Sequence, residues 1–177
     1  MFSKKQPTFD AVKLKANLKM AVTRIRMHQN KRQNNVRVAR RELAELLNAR
    51  KFDACRVKTE GVMREDHGIT GLDILVLFVE LLWARHSIIT ESRSCPPELK
   101  EAITSVLWAV PRTDGVQELQ AVRLQFALKY GKPFCEMAAD NSEHSVNDKL
   151  MDRLGVNVPT AADCADYLEG VALEHQL

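Results

Sequence analysis

From residue 10 to residue 48 the chain has no proline and no glycine. Within that stretch Ala11, Leu14, Leu18, Val22 and Ile25 recur at spacings of three and four. After a polar run (His28–Asn35), Val36, Ala39, Leu43 and Leu46 resume in the same phase. This is the period of a helix with one narrow, coiled-coil-like apolar seam. Thr8 or Asp10 is placed to cap it. At about 1.5 Å per residue the spacing predicts a rod of roughly 60 Å. So thin a seam does not hold a lone helix in water and demands a partner helix.

The partner follows directly. After a break at Asn48–Phe52, with Asp53 as the expected cap, Val57, Gly61, Gly68, Leu72, Leu75, Phe78 and Leu82 continue the three/four spacing to about Ile89. Gly61, Gly68 and Gly71 each cost about 1 kcal/mol relative to Ala inside a helix, so packing must compensate. A short turn between two long seamed helices makes an antiparallel hairpin the economical fold. From Leu72 onward the apolar stripe broadens, so that end needs further cover. The run Leu72–Ala84 is about two-thirds of a bilayer span and contains Asp73 and Glu80, which reads as a core helix.

Three or four shorter helices are expected to supply the cover. Pro96 and Pro97 open one carrying Leu99, Ile103, Val106 and Val110, and Pro111 closes it. Asp114 with Gln117 forms a capping-box pattern for the next, which Gly131 and Pro133 end. Ser145 with Asp148, then Thr160 with Asp163, are the expected caps of two more. Residues 132–143 look like a flexible linker. The expectation is one all-α domain over residues 1–177, with its core at about 9–175.

Charge bears on function. Residues 1–58 hold 16 Lys/Arg against 4 Asp/Glu, a net of +12, and residues 59–177 hold 10 against 19, a net of −9. A basic first third calls for an anionic partner: lipid headgroups, nucleic acid, or the acidic part of another copy. Residues 11–41 contain no Asp or Glu. A merely solvated face would mix signs to gain stabilising pairs. The basic set is Lys13, Lys15, Lys19, Arg24, Arg26, Lys31, Arg32, Arg37, Arg40 and Arg41.

Catalysis finds no support. No His follows a Glu by three residues, as a di-iron-type bundle requires, and there is no glycine-rich phosphate loop. Cys55, Cys95, Cys135 and Cys164 are far apart, with no C-x-x-C pair, and read as reduced thiols. Met1–Asp10 lacks the apolar segment of a secretory signal. No cofactor, metal or catalytic residue is expected. The carboxylates Glu65, Asp66, Asp73 and Glu80 are expected to pair with Arg40, Arg41 or Arg85. Trp83 and Trp108, in apolar phase, are expected in the core.

Several blocks carry a resemblance. They are Val12-Lys-Leu-Lys-Ala-Asn-Leu-Lys-Met, Arg24-Ile-Arg and Arg40-Arg-Glu-Leu-Ala-Glu-Leu-Leu47 on the first helix. On the second come Val57-Lys-Thr-Glu-Gly-Val-Met-Arg-Glu-Asp66, Leu72-Asp-Ile-Leu and Glu80-Leu-Leu-Trp-Ala-Arg85. Later come Leu107-Trp-Ala-Val-Pro-Arg112, Lys129-Tyr-Gly131 and Ser145-Val-Asn-Asp-Lys-Leu-Met-Asp-Arg-Leu154. In this order and spacing the chain resembles the N-terminal domain of the increased-sodium-tolerance family, a divergent branch of ESCRT-III, over roughly residues 9–173.

The resemblance implies a helical hairpin carrying smaller helices. It implies co-assembly into filaments with charged multivesicular body proteins and peripheral contact with anionic membranes. It also implies modulation of the AAA ATPase of vacuolar protein sorting. The implied settings are multivesicular body sorting, tubule scission and abscission, in the cytoplasm on endosomes and the midbody. The ATPase-binding tail usual in the family has no counterpart before Leu177, so recruitment through it is not expected of these residues. Lys19 falls where the family carries a basic filament-contact residue, and Arg24 and Arg26 match basic positions. Asn30 replaces a basic residue of a later cluster, with Lys31 and Arg32 following. A groove for a partner helix is expected near Leu81, Arg85 and Tyr167. Use of the basic helix as a nucleic-acid module is the alternative, although the helix lacks aromatic residues for stacking.

Overall fold

The computed structural model describes residues 4–177, so the first residues of Met1–Asp10 lie outside the described part. Asp10 caps the first helix: its carboxylate accepts from the backbone N–H groups of Val12 at 3.0 Å and Lys13 at 3.1 Å. The helix, α1 (Ala11–Asn48), is continuous over 38 residues. The chain reverses at Arg50, which takes the left-handed conformation (φ 57°), and α2 (Phe52–Ala84) returns antiparallel. Cys55 lies against Leu43, Asp73 against Gln29 and Glu80 against Arg26, as a hairpin requires.

The α1 seam buries Leu14, Leu18, Ala21, Ile25, Val36 and Leu43. In α2 the inward residues are Cys55, Thr59, Met63, Gly68, Leu72, Leu75, Val79 and Leu82. The first turns therefore use a different phase from the expected one, and Val57 is 81% exposed. Asp53 is not the cap but sits in the first turn, after an N-cap at Lys51 that has no side-chain bond. The second rod also stops sooner than expected. Arg85 breaks it, and α3 (His86–Glu91) turns Ile89 fully into the core. By length and composition α2 could cross a bilayer, yet Leu72, Leu75, Val76, Val79 and Leu82 are buried in the bundle.

A tight turn at Pro97–Leu99 leads into α4 (Lys100–Ala109), and a second at Val110–Arg112 leads out. Then come α5 (Gln117–Tyr130), α6 (Lys132–Asp140), α7 (Asp148–Leu154) and α8 (Ala161–Glu174). The expected linker at 132–143 is thus mostly a helix. Gly131, at φ 94°, makes the turn, and Pro133 falls in the first turn of α6, where a missing N–H costs little. Cys135 and Ala138 pack inward.

Besides Asp53, two of the expected caps differ. Val116, without a side-chain bond, precedes α5 in place of the Asp114 box. Asn147 caps α7 by accepting from Leu150 N–H at 2.9 Å, while Ser145 donates to Thr104. The Thr160–Asp163 capping box forms as expected.

One large core joins the first half of α1 to the second half of α2 and to α3–α7, with Phe126, Leu75 and Ile103 fully buried. At the opposite end, the hairpin tip, a small separate cluster of Leu43, Ala44 and Val171 holds α8. Gly71 lets α7 approach: an added Cβ would lie 2.5 Å from Leu154 Cδ2.

Candidate functional site

The structure divides the α1 cations into two groups. Carboxylates from distant helices neutralise Arg24 and Arg26. Arg24 Nε donates to both oxygens of Glu118 at 2.8 Å, and Arg26 Nη2 donates to Glu80 at 2.5 Å. Among the described residues no salt bridge reaches Lys13, Lys15, Lys19, Lys31 or Arg32. Arg32 is half-buried, with its guanidinium over the flat face left by Gly68. The other four are exposed. Lys15 and Lys19 reach across to Trp83, with Nζ 6.0 and 5.7 Å from the ring centroid.

Trp83 itself is 36% exposed, not the core residue expected. Its helical phase places it at the edge of the α2 stripe, beyond the cover of α4–α7. Trp108 is buried, as its pattern suggested.

The residues expected to line a partner-helix groove do not come together. Leu81 is half-buried against the large core, and Arg85 is exposed at the break between α2 and α3. Tyr167 lies toward the other end of the hairpin, bonded to Asp66, which precedes Leu81 by 15 residues or about 22 Å of helix.

Tyr167 instead belongs to a polar cluster that docks α8. Arg40 Nε donates to Glu174 at 2.8 Å, and its Nη1 lies 3.9 Å from Asp66. The guanidinium stacks 4.9 Å from the centre of the Tyr167 ring. The Tyr167 hydroxyl donates to Asp66 at 3.1 Å, and burial pushes the phenol up to about 12. Pairing of Asp66 with Arg40 was legible from the sequence; Glu174, 134 residues from Arg40, was not.

These features define a class: an ESCRT-III-like helical hairpin bearing smaller helices and an exposed cationic strip. Comparison with known proteins specifies it further. Residues 15–177 match the family model described as "Ist1: Regulator of Vps4 activity in the MVB pathway". The chain belongs to the Ist1 family, a family described by regulation and not by catalysis.

An IST1-like protein of Dictyostelium discoideum is 33% identical over 166 residues, covering 94% of this chain and 45% of that protein. The vacuolar protein sorting-associated protein IST1 of Saccharomyces cerevisiae is 30% identical over 170 residues, covering 91% and 56%. The chain thus spans about half the length of these relatives. The crystal structure of the S. cerevisiae Ist1 N-terminal domain in complex with the Did2 MIM motif matches with a TM-score of 0.86 at 28% identity. The match covers 98% of this chain and 95% of that one.

Proposed function

We propose that this chain is a non-enzymatic ESCRT-III-like assembly and regulatory protein. It co-polymerises with charged multivesicular body proteins in membrane remodelling and modulates the AAA ATPase of vacuolar protein sorting. It acts in the cytoplasm, peripherally on endosomes and at the midbody. The observation that carries this reading is the end-to-end match to a solved Ist1 domain that was crystallised with a segment of another protein. The unpaired cations Lys13, Lys15, Lys19 and Lys31 support it, because an uncompensated basic strip repels itself until an anionic surface meets it. Lys19, exposed on the strip with Lys13, Lys15 and Lys31, is the contact assigned to a neighbouring subunit or headgroup. Arg24 and Arg26, already paired, act mainly in holding α5 and α2 to α1.

The test is co-assembly at low salt with a charged multivesicular body protein, imaged by negative stain. Ordered tubes or filaments are expected, and Lys19→Glu reduces them. Components that stay dispersed, while the chain binds duplex nucleic acid tightly at physiological salt, would overturn the reading in favour of a nucleic-acid module.

A further inference from the structure

Three hydroxyl side chains have an aspartate three positions on: Thr70, Ser145 and Thr160. The structure separates them. Thr70 lies inside α2, where the backbone is committed to the helix. Ser145 is half-buried, and its hydroxyl donates to Thr104 at 3.0 Å. Of the three, only Thr160 is both exposed and outside a helix interior. It ends a stretch without regular structure, residues 156–160, in which Val156 and Val158 also face solvent. Residues 154–177 hold no Lys or Arg against four Asp/Glu, and Asp163 and Asp166 are exposed just beyond Thr160.

A protein kinase takes its acceptor hydroxyl on a segment that can be drawn into a cleft, and the charges around the acceptor select the kinase. Thr160 meets both needs. The first turn of α8 is closed by the capping box alone: Asp163 N–H donates to Thr160 Oγ at 3.1 Å, and Thr160 N–H donates to the Asp163 carboxylate at 3.0 Å. Ala161 and Ala162 between them are exposed, so this turn opens locally without disturbing the core.

A cavity of about 660 Å³ lies between α2, α7 and the start of α8, with Pro159 and Asp163 on its α8 side. Its other walls bring Arg64 and His67 from α2 and Arg153 from α7. Arg153 Nε is buried without a hydrogen-bond partner, and the adjacent Asp152 carboxylate stays 3.6 Å away. Arg64 is tied only to Glu60, one turn earlier on its own helix. Asp152 and Asp166 also line the cavity. A phosphoryl group on Thr160, at roughly −2 charge, would displace the Asp163 carboxylate from the box and draw the two guanidiniums. Its oxygens would accept from Asp163 N–H in place of the hydroxyl, at the positive end of the α8 dipole.

We propose that Thr160 is the phosphate acceptor of an acidophilic protein kinase, and that the phosphoryl group clamps the start of α8 to α2 and α7 through Arg64 and Arg153. Thr160 Oγ attacks the γ-phosphorus of ATP. The new Oγ–P bond forms as the bond from that phosphorus to the bridging oxygen breaks, ADP leaves, and the hydroxyl proton passes to the base of the kinase.

The probe is casein kinase II with ATP and Mg²⁺, acting on the whole chain and read by intact and fragment mass spectrometry. One phosphoryl group per chain, on Thr160, is expected. Thr160→Ser keeps it and Thr160→Val loses it. Asp163→Asn should slow transfer about tenfold, because it removes the carboxylate the kinase reads. Hydrogen exchange then reads the clamp. Amides in the first turns of α8 should exchange about tenfold more slowly after modification, the worth of one charge-assisted hydrogen bond. Arg153→Gln should accept the phosphoryl group at the natural rate and show no such slowing, a separation that a folding defect would not produce. Transfer to Thr70 or Ser145, or none to the folded chain, would overturn the site. Faster exchange of α8 after modification would overturn the clamp and show that repulsion by the neighbouring carboxylates prevails.

Discussion

The two ends of the hairpin are built differently from similar material. At the base, α1 and α2 are wrapped by α3–α7 around one continuous core, and the seam residues reach zero exposure on several helices at once. At the tip the same two helices meet one another and α8. The buried cluster there is Leu43, Ala44 and Val171, assisted by ion pairs and by Tyr167. Apolar burial, at about 25 cal/mol per Å², dominates the first. Partly exposed charge pairs, each worth little, supplement the second. The base therefore behaves as the folding unit, and α8 as an element able to come away at a fraction of the global cost.

The largest expected effect lies at the base. Phe126→Ala should remove about 3–5 kcal/mol from unfolding, read as a fall in the urea midpoint. Little change in the midpoint would break the contrast at its strong end. The glycines sharpen it next. Gly71→Ala drives a Cβ into Leu154 and should cost about 1–3 kcal/mol by overpacking. Gly61→Ala, toward the tip with nothing within 4 Å of the new Cβ, should gain up to about 1 kcal/mol.

At the tip, Val171→Ala should cost about 1.5 kcal/mol, for two methylene equivalents. The loss should appear in the hydrogen-exchange protection of α8 and leave the base unchanged; uniform loss of protection would show the two ends to be one cooperative unit.

The smallest effect is a pH response. The Tyr167 phenol sits above its ordinary 10.0, at about 12, so the folded state favours its protonated form. That contribution is complete below pH 10 and fades as pH rises through about 12. Protection of α8 should decline over this window in the natural chain and less so in Tyr167→Phe.

The sequence determined whatever is local. Helicity of α1 follows from 38 residues without a breaker, the Asp10 cap and the Thr160–Asp163 box follow from side chains within three positions, and the hairpin follows from two seams and a short turn. The ordered blocks also carried the family. Where locality ended, the reading failed. Gly131 ends α5 as expected, but the stretch expected to follow as a linker is mostly α6, the first turns of α2 use another phase, and Trp83 is partly exposed, not in the core.

Only tertiary structure decided which cations remain unpaired. Glu118 reaches Arg24 across 94 residues of chain and Glu80 reaches Arg26 across 54, distances at which helical period says nothing about neighbours. The angle at which α5 and α2 settle on α1 brings those carboxylates to two arginines and leaves Lys15 and Lys19 beside an indole. That angle is set by how the core packs.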